Sequence, residues 1–157
     1  MIQEDVKPQG TVEMIIEDIN GKVEVLHVKN AILQTGRMAL ASCIANDING
    51  SFNLFVARMV FGDGGTNSNV PKYIDASRNG LFGTTRSSKN IIANIDSNNL
   101  TQVVFTSVLT FGDANGFPLN EMALVLNTGD FYSMTTFPDI NKVSTMQITF
   151  NWRISFI

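Results

Sequence analysis

The two side chains that most often move protons or attack carbonyls occur once each in this chain, as His27 and Cys43. His27 alternates with apolar Leu26 and Val28, the setting of a structural or exposed strand side chain and a poor one for a general base. Cys43 sits among Ala, Leu and Ile and reads as a small packed hydrophobe. The start of a predicted helix separates the two, so they make a weak nucleophile–base pair. With one cysteine no intramolecular disulfide can form, which fits folding in a reducing cytosol. No His/Cys cluster offers the converging ligands a metal needs.

The stretch "FGDGGTNSN", from Phe61, invites two further chemistries. As a phosphate loop it lacks the Gly-Lys-Ser/Thr ending. As a calcium loop it has one carboxylate, Asp63, and no acidic residue at the later ligand spacings. It reads better as a turn in which Gly62, Gly64 and Gly65 permit unusual dihedrals. "FGD" returns at 111–113, and the two copies read as similar strand exits. Glu121 lies in "NEMALVL", an apolar setting that gives a carboxylate need of a partner. Lys142 and Arg153 are the cationic candidates, and we expect Glu121 to pair with Lys142, tying a loop to a strand end. A catalytic Glu121 is the minor alternative, since no second acid or base recommends itself. No catalytic residue, cofactor or metal is therefore expected.

The elements around these residues are mostly strands. In "MQITFNWRISF", from Met146, every even position is apolar and every odd one polar, the period of a half-buried strand. Runs at 11–17 and 22–28 flank "DING", a hairpin signal. The 55–61 run has apolar residues on both faces and reads as a central strand. Further strands are expected at 90–96, 100–110, 119–126 and 131–137, with "PDINK" as a loop before the last. Residues 30–47 hold the one helical candidate, with Leu33, Arg37, Leu40, Ala41 and Ile44 at three- and four-residue spacings. Thr35 is its expected cap, 46–50 its stop, and one face of a sheet its expected seat. Residues 62–86 show no periodicity; Tyr73, Ile74, Leu81 and Phe82 anchor them as an ordered excursion. Four Asn-Gly pairs, beginning at Asn20, Asn49, Asn79 and Asn115, punctuate the chain with tight reversals. The fold class expected is mainly β, an antiparallel sandwich of seven or eight strands with one short helix. Residues 1–10 read as a flexible arm and 11–157 as one domain. Phe55, Met59, Phe61, Phe105, Leu124, Phe150, Trp152 and Ile154 are the expected core.

Charged residues make up 16% of the 157, against about 25% in typical soluble proteins, and the net charge is −3. That balance gives no basic footprint for nucleic acid. The start "MIQEDVKPQG" is unlike a signal peptide, and no apolar run reaches a membrane span, so a soluble chain is expected. A sparsely charged exterior suits coverage by partners.

The order "FGDGGT…VP", "LFG", "FTSVLTFGDANGFPLNEMALVL" and "GDFYSMTTFPDINKVSTMQITFNWRISF" resembles a group of small structural proteins of tailed bacteriophages. Asn115, Gly116, Glu121, Leu124, Phe137, Ile140, Lys142 and Trp152 carry the likeness, which spans roughly residues 30–157. It implies a non-enzymatic virion component of the tail, baseplate or neck, with collar and fibre-attachment proteins included. Such a component assembles in the host bacterial cytoplasm as a homo-oligomeric ring or adaptor, touching copies of itself and other virion proteins, with no direct nucleic acid and no membrane. The group supplies no catalytic residue. The arm and the loop containing Asp63, Tyr73, Leu81 and Phe82 are the candidate assembly surfaces. A receptor- or glycan-binding module of a fibre tip and a capsid decoration protein are the alternatives.

Overall fold

A computed structural model describes residues 8–45 and 53–156 of the chain. Residues 1–7 of the expected arm, and the expected helix stop with its Asn49-Gly50 pair, lie outside the described residues. Pro8, Gln9 and Gly10, assigned to the arm from sequence, belong instead to the first strand, where Gly10 stands opposite Ile154.

The architecture is two antiparallel sheets face to face. The first, sheet A, takes its strands from β1 (Pro8–Asp18), β2 (Val23–Lys29), β8 (Ile92–Asp96), β9 (Asn99–Leu109) and β12 (Met146–Phe156), in the order β2-β1-β12-β9-β8. The second, sheet B, contains β3 (Ala31–Ile32), β4 (Val56–Gly62), β7 (Thr85–Asn90), β10 (Pro118–Leu126) and β11 (Phe131–Asn141), in the order β3-β11-β10-β4-β7. A small ribbon of β5 (Thr66–Asn67) and β6 (Val70–Pro71) stands apart. Besides the β5–β6 ribbon, two strands escape the sequence reading. β3 is too short to show a period. The 85–96 stretch divides at Ile91, β7 closing the edge of sheet B and β8 that of sheet A. "PDINK" is also mostly strand: beyond a bulge β11 continues, Ile140 opposite Leu119 and Asn141 opposite Pro118.

β12 is long because it is central. It pairs with β1 along all eleven of its residues and with β9 on its other side. Its Ile148, Phe150, Trp152 and Ile154 enter the core. There they meet Val12 and Met14 of β1, Phe105 of β9, and Met59, Phe61 and Leu124 of sheet B. The Phe61 and Phe150 rings lie 4.7 Å apart, centre to centre. Each such side chain withdrawn from water contributes about 1.5–3 kcal/mol. Phe55, expected in this core, precedes β4 and is 56% exposed.

The turns use glycine more sparingly than the Asn-Gly pairs suggest. At "DING", Gly21 N donates to Asp18 O (2.9 Å) and Asp18 N to Lys22 O (3.0 Å), leaving a three-residue loop. Only Gly21 there has a positive φ, +80°, so Asn20 needs no left-handed backbone. "NTGD" repeats the arrangement, with Gly129 at φ +97°. The ribbon turn instead places Ser68 and Asn69 both at positive φ, the two-residue form.

Helix α1 (Gln34–Ala45) packs on β11 and closes one end of the sandwich; it does not lie across a sheet face. Gly36 sets this contact, since a Cβ there would stand 2.2 Å from Tyr132 O. The inward face is consequently Gly36, Ala39 and Leu40, with Arg37 and Ala41 exposed. Thr35 does not cap the helix: its hydroxyl donates to Phe131 O, while the first turn is closed by Arg37 N to Leu33 O (3.1 Å). Ala39 and Leu40 share an apolar cavity of about 160 Å³ with Phe105 and Phe156 of sheet A and Leu126 and Tyr132 of sheet B. Cys43 lines the same cavity but is exposed, contrary to its reading as a packed hydrophobe.

Candidate functional site

β10 is buried along its whole length except Pro118. Met122, Leu124 and Leu126 face sheet A, while Ala123 and Val125 face the other way, into a second apolar cluster with Leu33, Val60 and Met134. A bulge between Leu119 and Glu121 re-aims the start of the strand. Asn120 and Glu121 both reach the 62–86 excursion folded over this outer face of sheet B.

Glu121 is fully buried. Its Oε1 accepts from Gly64 N (2.9 Å) and Gly83 N (2.8 Å), and its Oε2 from Phe82 N (2.7 Å). Charge-assisted bonds to amide dipoles replace the water this carboxylate has lost. Asn120 works beside it. Its Oδ1 accepts from Gly65 N (2.6 Å), and its Nδ2 donates to Thr66 Oγ1 and Asp139 Oδ1 (3.0 Å each).

The glycines of "FGDGG" serve this junction through their size. None of the three has a positive φ, contrary to the sequence reading. A Cβ on Gly62 would stand 2.7 Å from Glu121 Oε1, on Gly64 2.2 Å from Gly83 N, and on Gly65 2.3 Å from Asn120 O. Two backbone runs pass close enough to share one carboxylate only because no side chain intervenes.

The rest of the excursion is pinned outward from there. Asn79 Oδ1 accepts from Phe131 N (2.7 Å), Thr136 Oγ1 donates to Lys72 O (2.8 Å), and Gln34 N donates to Ala76 O (2.7 Å). Three cations are absorbed by aromatic rings. The Arg78 guanidinium lies 3.5 Å and Lys72 Nζ 5.1 Å from the centre of Phe82, and Arg86 4.0 Å from that of Phe117. Asp75 turns on itself, and hydrogen bonds from the Ser77 hydroxyl and N–H hold its carboxyl below the usual value of 3.8.

The expected Glu121–Lys142 pair does not form. Lys142 N donates to Phe117 O, placing Lys142 beyond the start of β10, about 13 Å along the chain direction from Glu121. Its buried ammonium donates to Asn115 Oδ1 (2.9 Å) and Val143 O (3.1 Å). Burial pushes the Lys142 pKa down, opposed in part by the charge of Asp113. The expected assembly loop divides as well. Leu81 and Phe82 pack inward on the second cluster, Asp63 is held by Thr84 N (3.2 Å) and Arg86 Nε (2.6 Å), and Tyr73 alone of the four is exposed, at 86%.

The two "FGD" strand exits share a use that their flanking sequence does not predict. Asp63 binds Arg86 and Asp113 binds Lys89 (2.7 Å), both cations belonging to β7. Burial raises the Asp113 carboxyl, but hydrogen bonds from Lys89 and Thr110, with the Lys89 charge, outweigh it and leave its pKa below 3.8. Tyr132, buried where α1 meets β11, has its phenol pushed up to about 12.

These arrangements hold backbone. Among the described residues, the hydrogen bonds to the Glu121 carboxylate all come from main-chain N–H groups. His27 is exposed on β2 opposite Glu13, at a crevice of about 470 Å³ floored by Ile16, Leu26, Phe137 and Ile140. Among the described residues no three His, Cys, Asp or Glu side chains converge as metal ligands. The outer face of sheet A has a different character. Thr106 donates to Asn151 (2.9 Å), Asn151 to Glu13 (3.1 Å), Gln102 to Ser155 (2.7 Å) and Gln147 to Glu17 (3.3 Å), polar pairs that run across the strands. No protein-family model matches the chain, and neither the curated proteins nor the solved structures compared with it contain a match.

Proposed function

We propose that this chain is a non-enzymatic structural subunit of a tailed-bacteriophage particle, forming a ring or adaptor in the tail, baseplate or neck. In this reading it assembles in the host cytoplasm, contacts copies of itself and other virion proteins, and touches neither nucleic acid nor membrane. The observation that carries it is the excursion pinned over sheet B by hydrogen bonds and ring contacts. A buried carboxylate, a buried amide and three ring-stacked cations fix twenty-five residues of loop without creating a reactive centre. A subunit that must present one fixed surface to its neighbours needs such a loop. The open outer face of sheet A, where polar side chains bond one another across the strands, offers a second and different patch, as heterologous rings require. The resemblance of roughly residues 30–157 to small structural proteins of tailed bacteriophages supports placing it in such a particle.

A reconstruction of an intact particle tests this: repeated symmetric copies of the sandwich are expected. A strictly monomeric protein at high concentration, together with its absence from mature particles, would overturn it. The exposed Tyr73 on a stiff support favours one second reading, a glycan- or receptor-binding module at a fibre tip. Glycan-array binding that disappears in Tyr73→Ala would place that reading first.

A further inference from the structure

The Asn-Gly pairs are more numerous than the turns require, and the three described ones are held very differently. An Asn-Gly pair carries latent chemistry of its own. The glycine nitrogen gives its proton to solvent base and bonds to the asparagine Cγ. The Cγ–Nδ2 bond then breaks and ammonia leaves, taking up a proton. Water opens the resulting cyclic imide at either carbonyl, giving aspartate or isoaspartate. Glycine permits the step because no Cβ blocks its nitrogen. The reaction needs an asparagine side chain free to swing onto the following nitrogen.

Asn115 lacks that freedom. Its Oδ1 accepts from buried Lys142 Nζ (2.9 Å), its Nδ2 donates to Phe111 O (2.8 Å), and Gly116 N is bonded to Lys142 O (2.8 Å). Asn79 is also held at both ends, accepting from Phe131 N (2.7 Å) and donating to Asp130 Oδ1 (2.9 Å). The Asn20 side chain, exposed at the β1–β2 hairpin, has no hydrogen bond among the described residues; only its main-chain N–H is bonded, to Asp18 Oδ1 (2.8 Å). Gly21 N is bonded to Asp18 O (2.9 Å), at a hairpin tip where local opening is cheap.

We propose that, among the three described pairs, Asn20 is the one at which the folded protein converts spontaneously to aspartate and isoaspartate, while Asn79 and Asn115 are protected by their hydrogen bonds. Conversion places a new carboxylate beside Asp18 and, in the isoaspartyl form, adds a methylene to the main chain of the hairpin. This proposal is independent of the particle assignment.

The test ages the full-length protein in mildly alkaline buffer and follows each pair by peptide mapping and enzymatic isoaspartate methylation. In the folded protein Asn20 should convert at least about tenfold faster than Asn79 or Asn115, because their clamps must open before attack. In denaturant the three should convert at comparable rates. Asp130→Ala, a surface-turn change that removes the Asn79 acceptor, should accelerate Asn79 and leave Asn115 unchanged. Equal rates for the three in the folded protein, or an Asn79 rate unmoved by Asp130→Ala, would overturn the proposal.

Discussion

The outer faces of the two sheets were built from the same strand alphabet and ended up opposite in kind. On sheet B, Val60, Ala123 and Val125 are covered by the 62–86 excursion, and the polar groups there, Asn120 and Glu121, are buried clamps. On sheet A, Glu13, Asn151 and Thr106 form a hydrogen-bonded row with no layer of the described residues over it. Covering a sheet face demands apolar side chains on both sides of each strand and obliges every polar group beneath the cover to find a partner. Leaving it open permits alternation and makes each polar pair nearly dispensable. The same residue type therefore carries different weight on the two faces, and substitutions can measure the difference.

The largest effect should come from Glu121→Ala, which leaves three part-buried N–H groups without their acceptor, each costing about 1–3 kcal/mol. A loss of roughly 4 kcal/mol in urea unfolding is expected, with rapid proteolysis within residues 66–80; a loss under about 1 kcal/mol would equate the two faces. Gly64→Ala comes next. Its Cβ would press on the Gly83 backbone, and overpacking of this kind costs about 1–3 kcal/mol by the same measurement.

A smaller effect should appear in acid. The folded pKa of Asp113 lies below 3.8, so its contribution is fully present above that value and is lost as the pH falls through the lowered one. Asp113→Asn should flatten the acid limb of a stability–pH profile and leave it unchanged near neutrality apart from a constant offset. Least of all, Asn151→Ala on the open face, where two part-buried hydrogen bonds are lost, should shift stability by about 1 kcal/mol or less. A cost comparable to that of Glu121→Ala would mean that the open face is as constrained as the covered one.

Much of this division was legible beforehand. The strict alternation of residues 146–156 announced one wet face, and the unbroken apolar run after Glu121 announced two dry ones. What stayed hidden was the partner of Glu121. Sequence reasoning looks for an opposite charge, whereas the structure supplies three main-chain N–H groups, which every residue but proline carries. The one available signal was the crowding of glycines at 62, 64 and 65, and it was assigned to dihedral freedom when the requirement was close approach. The helix face was misplaced for a related reason. Spacing favoured Leu33, Arg37, Leu40, Ala41 and Ile44, but contact with Tyr132 O selects the residue with no side chain, Gly36, and rotates the helix accordingly. Phe55 shows the limit of counting by twos, since the alternation was extended one residue past the start of the strand.

The central place of β12 also sets a timetable. During synthesis, the β1–β2 and β8–β9 hairpins emerge early, each with one rim that only the last strand can occupy. Sheet A therefore cannot close until the ribosome has delivered residues up to 156, by joining segments more than a hundred positions apart. Nascent or truncated chains carry two vacant rims of matching register, a state prone to capture by other copies. Rapid delivery of β12 is thus a condition for keeping half-made copies from pairing with one another.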